Sequence, residues 1–162
     1  MNVIASKRIT NEFKEIKNCI ELEVIDSHRF ISIEIVDDDI FNLEVCFLGP
    51  KDSPYEEIIN TISINISNKY PHEPPSIKFI NNIYHPNIDA HGNICLDILK
   101  NKWTPVYTLR TVLMSIISLL SDANPDSPLN GDAAHTYTAS QKSVIGRRTY
   151  QKLIMNYSNN IN

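Results

Sequence analysis

The chain has 162 residues, of which 15 are Lys or Arg and 19 are Asp or Glu, and its net charge is −4. This length suits a single domain with a substantial core. The net charge is small and both signs are mixed along the chain, so the sequence indicates no basic face for nucleic acid. No apolar run reaches the length of a membrane span, and the N-terminus lacks the apolar segment of a signal peptide. We therefore expect a cytosolic or nuclear protein that binds neither nucleic acid nor membranes.

The first predicted element is an amphipathic helix, because Ile9, Phe13 and Ile16 recur at helical spacing. Four predicted strands follow, and each is rich in β-branched and aromatic residues or alternates apolar with other residues. They cover Phe30–Val36 and residues 41–47, 62–66 and 77–79. The acidic triplet at residues 37–39 and the Gly49-Pro50 pair mark turns between the first strands. Such short connections predict an antiparallel meander.

The segment 67–99 differs, since prolines at positions 71, 74, 75 and 86 prevent regular helix and donate no hydrogen bond to a sheet. Long irregular stretches in a compact domain are usually functional. A long central helix is predicted next, because apolar residues from Leu109 to Leu120 recur at i, i+3, i+4, i+7, i+8 and i+11. Residues 124–128 end this helix, and two further helices are predicted over residues 132–140 and 144–157.

The three cysteines are far apart and include no Cys-x-x-Cys pair, so the sequence suggests neither a disulfide framework nor a zinc site. Cys19 falls near the end of the first helix, with no motif around it. Cys46 lies in the apolar pattern of the second strand, and we expect it to be a small buried residue. The histidines lack the spacing of metal ligands, so no metal is predicted. Only Cys95 lies among turn residues and potential catalytic partners.

Cys95 follows His85 by ten residues, and Asn87 offers a side-chain amide for chemistry at the sulfur. These residues belong to a larger ordered set of motifs. The set comprises Gly49-Pro50, Ser53-Pro54-Tyr55-Glu56, Tyr70-Pro71, Pro74-Pro75, Tyr84-His85-Pro86-Asn87, Gly92, residues 94–99, Trp103, Pro105 and residues 115–116, 118–120 and 124–126. In identity, order and spacing it resembles ubiquitin-conjugating enzymes, which carry ubiquitin as a thioester on one cysteine. The resemblance extends over about residues 6–157.

The resemblance implies an α+β protein with the ubiquitin-conjugating fold. That fold has a four-stranded antiparallel meander sheet, an N-terminal helix, a long central helix and C-terminal helices, here as one catalytic domain over residues 1–162 with its core at about 6–157. The chain departs from the family at Glu57-Ile58 and Asn60, where two glycines and a phenylalanine are usual. Residues 18–29 also look longer than in compact members. These departures concern a loop and a partner surface more than the chemistry.

By this resemblance Cys95 is the nucleophile that accepts ubiquitin, and its thiolate is the reactive form. Attack on a thioester creates a tetrahedral oxyanion, which a positioned amide such as that of Asn87 stabilises. An asparagine that follows a proline is also a common turn residue, with a side chain that bonds its own backbone. The family favours both roles for Asn87, with the amide tied to the loop and close to Cys95.

His85 has two interpretations. It could be the general base of a Cys-His protease, which takes the proton of the thiol. A lone histidine more often makes a structural hydrogen bond, and a thioester carrier should not activate water against its own cargo. The family makes this histidine structural, and we predict the same for His85, with Tyr84 as a further support of the active site.

The second step needs a substrate lysine, whose amine has an ordinary pKa of about 10.4 and must lose a proton. The candidates that assist it are Asp97 and a gate formed by Asp126, Ser127 and Leu129. Many members of the family carry an acid in place of Ser127, although others have serine. Asp126 has the plainer alternative of a residue that ends the central helix.

The resemblance also implies four partner surfaces. They are Lys7 and Arg8 for the ubiquitin-activating enzyme; Pro71, His72, Thr104, Pro105 and Val106 for a ubiquitin ligase; Met114 and Ser118 for the donor ubiquitin; and Ser32 for a second, backside ubiquitin. Plainer alternatives are a solvated helix face for the basic pair, ordinary packing for Met114 and solvent contact for Ser32. His72 replaces a phenylalanine that is common in ligase-binding members, which leaves the ligase type open.

The implied function is acceptance of activated ubiquitin on Cys95 and its transfer, with a ligase, to lysines of protein substrates. ATP is consumed by the upstream activating enzyme, so no cofactor is expected. A carrier for another ubiquitin-like modifier is the main alternative. A Cys-His hydrolase and a purely binding scaffold are more remote.

Overall fold

The protein combines a four-stranded sheet with four helices in a computed structural model, which describes residues 3–22 and 30–159. In chain order the elements are α1 (Val3–Glu21), β1 (Phe30–Val36), β2 (Asp39–Leu48), β3 (Ile59–Asn65), β4 (Ser76–Phe79), α2 (Leu109–Ser121), α3 (Gly131–Ser140) and α4 (Val144–Asn159). A 3₁₀ turn, Asp97–Leu99, lies between β4 and α2. The predicted helices and strands are all present, so the α+β prediction is confirmed. Residues 23–29, most of the connection that looks long in the sequence, lie outside the described residues.

The sheet has the strand order β1-β2-β3-β4, and each neighbouring pair is antiparallel, which confirms the predicted meander. The acidic triplet forms the tight turn between β1 and β2. Asp37 and Asp38 have φ angles of 54° and 55°, in the left-handed region that Asp tolerates better than most residues. The carboxylate of Asp39 accepts hydrogen bonds from the Phe41 backbone and the Asn42 amide. The triplet is therefore a turn and not a ligand cluster.

The core lies on one face of the sheet. Alternate residues of β2 and β3 point into it, among them Val45, Phe47 and Ile62, which are fully buried. α1 packs on β1, β2 and α2, while α3 and α4 pack on each other. The apolar residues that predicted α2 are all buried, which explains the spacing of that pattern. None of the described helices combines the length and apolarity needed to cross a membrane.

The prediction that Cys46 is a buried core residue is wrong. Successive side chains of a strand point to opposite faces, and Val45 and Phe47 on either side of Cys46 point into the core. Cys46 therefore lies on the outer face of the sheet, where it is partly exposed and its Sγ is 3.4 Å from the Thr61 hydroxyl. The alternation that identified the strand already placed this thiol outside.

Candidate active site

A narrow ribbon of backbone, residues 85–95, carries Cys95 along the edge of the sheet. The Cys95 amide donates to the Asn87 carbonyl at 2.9 Å, and the Asp89 amide donates to the Asn93 carbonyl at 3.1 Å. Gly92 turns the ribbon with a φ of 76°, and a Cβ there would lie 2.0 Å from the Phe79 carbonyl oxygen. Only glycine lets the ribbon approach β4 so closely. Because of these backbone bonds and the turn at Gly92, Asn87 and Cys95 lie directly opposite each other on the ribbon.

The thiol of Cys95 is free and partly exposed. Lys100 follows the 3₁₀ turn and brings its Nζ to 3.9 Å from Sγ. Lys102, two residues further on, forms an ion pair with Asp97 at 2.5 Å. The sequence prediction included neither lysine, although their position just after the Cys95–Leu99 run was a signal that could have found them. Cys95 therefore lies beside the ammonium group of Lys100, while that of Lys102 is held by Asp97.

The side chain of Asn87 is 1% exposed and bonds a second loop, residues 124–127. Its oxygen accepts from the Asn124 amide at 2.8 Å, and its nitrogen donates to the carbonyls of Asn124 at 2.7 Å and Ser127 at 3.2 Å. The alternative that this side chain bonds its own backbone is therefore wrong, because its partners lie 37 and 40 positions away. The predicted tie between amide and loop is present, and stabilisation of the oxyanion stays a prediction.

His85 is fully buried and uses both ring nitrogens. Nδ1 accepts a hydrogen bond from the Asn87 amide at 3.0 Å, so the proton lies on Nε2, which donates to the Leu119 carbonyl at 2.9 Å. Burial lowers the pKa of His85 to about 4, although the bond to Leu119 opposes that shift. The ring is therefore neutral at pH 7 and has no free nitrogen for base catalysis. This geometry agrees with the structural role that we predicted.

The predicted gate lies directly beside the ribbon. The amides of Leu129 and Asn130 both donate to the Pro86 carbonyl, at 2.8 and 3.0 Å, and fix the gate to the residue before Asn87. Asp126 and Ser127 have exposed side chains, and Leu129 is 42% exposed. All three side chains are therefore accessible to another molecule.

Asp97 and Tyr84, the other predicted active-site residues, differ in their solvent exposure and in their hydrogen-bond partners. The hydrogen bond and positive charge of Lys102 lower the pKa of Asp97, so this carboxylate is ionised but already occupied. Tyr84 is buried, and its hydroxyl lies 3.1 Å from that of Thr136 in α3. Asp97 faces solvent in the 3₁₀ turn that begins two residues after Cys95, whereas Tyr84 is buried and connects the ribbon to α3.

The residues predicted to dock a ligase lie in two loops that contact each other. Trp103 joins the two loops, because its indole donates to the Pro71 carbonyl at 2.8 Å and its ring packs between Tyr70 and Tyr107. His72, Thr104, Pro105 and Val106 have exposed side chains, and Val106 is 85% exposed. The two loops thus form one continuous surface.

Lys7 and Arg8, the predicted basic pair of α1, differ in their exposure and contacts. Lys7 is exposed, as a contact for another protein requires. Arg8 is half-buried, donates to the carboxylate of Glu12 at 2.7 Å and to the Tyr107 carbonyl at 2.8 Å, and lies over the ring of Tyr70. Arg8 therefore links α1 to the surface formed by the ligase-docking loops, which the sequence did not indicate.

The remaining predicted residues lie on two other elements, α2 and β1. On α2, Ser118 is exposed and Met114 is half-buried beside the apolar stripe. On the outer face of the sheet, Ser32 of β1 is half-buried and pairs with Cys46 of β2. Within the described ranges, no three His, Cys, Asp or Glu side chains are grouped so as to hold a metal ion.

Comparison with known proteins agrees with this fold. The family model for ubiquitin-conjugating enzyme matches residues 8–151. The chain therefore belongs to the ubiquitin-conjugating enzyme family. A similar solved structure is that of the H. polymorpha ubiquitin-conjugating enzyme Pex4p, crystallised in complex with the soluble domain of Pex22p. The two chains are 28% identical in sequence. The match covers 95% of this chain and 96% of the Pex4p chain, with a TM-score of 0.85.

Proposed function

We propose that this enzyme accepts activated ubiquitin as a thioester on Cys95 and transfers it, together with a ubiquitin ligase, to lysines of protein substrates. The observation that carries the proposal is the free, partly exposed thiol of Cys95, held opposite Asn87 by its own backbone amide. Cys19 and Cys46 lie on other elements, without comparable surroundings. We further propose that the enzyme works in the cytosol or nucleus.

In the first step the Cys95 thiolate attacks the thioester carbonyl of ubiquitin on its activating enzyme. A new C–S bond forms at Cys95, the old one breaks, and the departing thiolate takes up a proton. The Asn87 amide would stabilise the intermediate oxyanion if one of its N–H groups turned from the loop carbonyls toward the developing charge. ATP is consumed upstream, so this step needs no cofactor of its own.

In the second step a substrate amine attacks the Cys95 thioester, so that a C–N bond forms and the C–S bond breaks. The amine must lose a proton, and nearby anionic groups favour its approach. Asp126 is exposed and lies in the gate, beside Ser127, and we propose that it favours this approach. Asp97 contributes when the approaching ammonium group displaces Lys102 from its carboxylate.

Each of the other predicted surfaces has its own proposed partner. We propose that Lys7 meets the activating enzyme and that the loops joined by Trp103 meet the ligase. Met114 and Ser118 would contact the donor ubiquitin over the thioester. Ser32, on the opposite face of the sheet, would serve a second ubiquitin, far from the chemistry.

The proposal is tested by incubating the protein with activating enzyme, ATP and ubiquitin, followed by gel analysis with and without reductant. We expect a reductant-sensitive adduct with wild type and at most a reductant-resistant ester with Cys95→Ser. Cys46→Ser and Cys19→Ser are the matched controls and should charge normally. Absence of any adduct, or a thioester that persists in Cys95→Ser, would refute the proposal. Charging with another ubiquitin-like protein, and not with ubiquitin, would favour the alternative carrier.

A further inference from the structure

Charge is distributed unevenly between the C-terminal part of the chain and the rest. Residues 133–162 contain four of the 15 Lys and Arg residues and none of the 19 Asp and Glu residues, so the mixing of signs ends at Asp132. The four are Lys142, just before α4, and Arg147, Arg148 and Lys152 within it. All four side chains are exposed, and none forms an ion pair with a carboxylate of the described residues. These cations are therefore available to a partner.

Large apolar side chains are exposed among these cations. Val144 and Ile145 at the start of α4 are 61% and 79% exposed, and Met155, near its other end, is 45% exposed. Positions four, eight and eleven residues apart lie on one face of a helix. The outward stripe of α4 therefore consists of Val144, Arg148, Lys152 and Met155. We define the α4 face as this stripe together with Lys142, Ile145 and Arg147.

The opposite side of α4 contacts the residues that hold the ribbon. Tyr150 and Ile154 are buried on that side. The Tyr150 hydroxyl lies 2.8 Å from that of Tyr55, which donates to the Tyr84 carbonyl just before the ribbon. A partner on the α4 face would therefore be separated from the ribbon by the helix itself.

The chemistry of the α4 face fits an anionic membrane surface. Anionic lipid headgroups attract Lys and Arg, and each such residue increases partition onto the membrane about fivefold. Exposed aliphatic side chains gain further by insertion toward the acyl chains, a gain that nucleic acid does not offer. The face is a convex helix surface about 16 Å long, at about 1.5 Å per residue, so it provides no groove for a peptide. A membrane is broad enough to meet all of these side chains together.

We propose that the α4 face docks the enzyme peripherally on membranes that contain anionic lipids. None of the described helices can cross a membrane, and the expectation of no membrane contact rests on the absence of a spanning segment. That criterion does not concern a contact made by surface side chains. The proposal is independent of the chemistry at Cys95, because it needs only the exposed residues of the α4 face.

The test is cosedimentation of the whole protein with vesicles of phosphatidylcholine, either alone or mixed with phosphatidylserine. Wild type should sediment only with the anionic vesicles, and its binding should decrease in high salt, which screens exposed charges. The double variant Arg148→Gln/Lys152→Gln should bind these vesicles about 25-fold more weakly. Val144→Ser/Ile145→Ser should bind them severalfold more weakly, because it removes the side chains that insert.

Two variants outside the α4 face are matched controls. Lys14→Gln/Lys17→Gln removes two exposed lysines of α1, and Ile80→Ser removes an aliphatic side chain that is 55% exposed after β4. Both should bind anionic vesicles as wild type does. Urea unfolding of every variant should match that of wild type, because all of the replaced side chains are exposed.

Three results would overturn the proposal directly. They are failure of wild type to prefer anionic vesicles, wild-type affinity in Arg148→Gln/Lys152→Gln, and equal weakening in the α1 control, which would show that net charge and not the α4 face causes binding. Binding of wild type to polyglutamate or to a DNA duplex, without binding to anionic vesicles, would overturn the proposal in favour of that class of partner.

Discussion

Asn87 is a buried amide whose hydrogen bonds all go to a loop more than thirty positions away. A buried polar group that loses its partners costs about 1–3 kcal/mol, which is more than the bond itself contributes. The three bonds of Asn87 therefore make the loop 124–127, and with it the gate residue Ser127, depend on the ribbon that carries Cys95. The Asn87 side chain therefore holds the loop that carries Ser127 against the ribbon that carries Cys95.

Asn87→Ala should lower the free energy of unfolding by on the order of 3 kcal/mol, because two carbonyls and one amide lose their partner. In the fraction that remains folded, discharge to free lysine should slow about 100- to 1000-fold if the amide also stabilises the oxyanion. Urea unfolding and single-turnover discharge measure the two effects separately. Asn101→Ala, an exposed asparagine in the loop after Cys95, should change neither. Normal discharge by folded Asn87→Ala would leave Asn87 only its role in the loop.

The residues around Cys95 show why part of the site could be predicted from the sequence. Cys95, Asn87 and His85 lie within one short motif, so their neighbourhood along the chain is also their neighbourhood in space. The pairing of Asp97 with Lys102 depends on the conformation of the 3₁₀ turn, which a pattern of residue types does not specify. The Asn87 amide is tied to a loop, as the resemblance implied, but the sequence did not identify residues 124–127 as that loop, because they lie far from Asn87 along the chain.

At the scale of elements, Glu12 joins α1 to α2. Its carboxylate is buried and accepts from Arg8 at 2.7 Å, from the Tyr70 hydroxyl at 2.8 Å and from the Leu109 amide at 2.7 Å. Leu109 is the first residue of α2, so a negative charge lies at the positive end of the helix dipole. The same carboxylate thus satisfies a free N–H of α2 and neutralises Arg8.

Glu12→Gln keeps the size of the side chain but removes its charge, and leaves the half-buried Arg8 without a counter-ion. Breaking a buried ion pair on one side typically costs about 3–5 kcal/mol. Because Arg8 is partly exposed, we expect a loss of about 2–3 kcal/mol in the free energy of unfolding, measured in urea. The control is Glu15→Gln on the same helix, whose exposed ion pair with Arg110 should contribute less than about 1 kcal/mol. Equal losses in the two variants would contradict a special role for Glu12.

Helices and strands could be predicted because their signal is local. The alternation in β2 and the apolar pattern of α2, which spans twelve residues, follow directly from which face of each element is buried. Glu12 lies 58 positions from Tyr70 and 97 from Leu109, and nothing in its own surroundings marks it as buried. The assignment of Arg8 to a partner surface failed to anticipate its inward contacts for the same reason.

At the scale of the whole molecule, the C-terminal helices support the active site from behind. The hydroxyl of Tyr150 in α4 lies 2.8 Å from that of Tyr55, which donates to the Tyr84 carbonyl at 2.7 Å. The ring of Tyr55 also packs against the imidazole of His85, with centroids 5.8 Å apart. His85 is bonded in turn to the end of α2 through Leu119. The ribbon is therefore fixed from α2 and α4 at the same point.

Because His85 is enclosed by these elements, its protonation should make the stability of the whole molecule depend on pH. Its pKa is lowered from about 6.5 in the unfolded chain to about 4 in the fold, so between these values the unfolded chain binds more protons. The stabilisation is complete above pH 6.5 and is lost as the pH falls toward 4. From pH 7 to pH 5 this single group should lower the free energy of unfolding by about 2 kcal/mol. Urea unfolding at both pH values should show a much smaller decrease in His85→Gln than in wild type, whereas the exposed control His72→Gln should keep the wild-type decrease. A decrease of equal size in His85→Gln would show that other groups cause the pH dependence and that the buried imidazole does not control the stability of the fold.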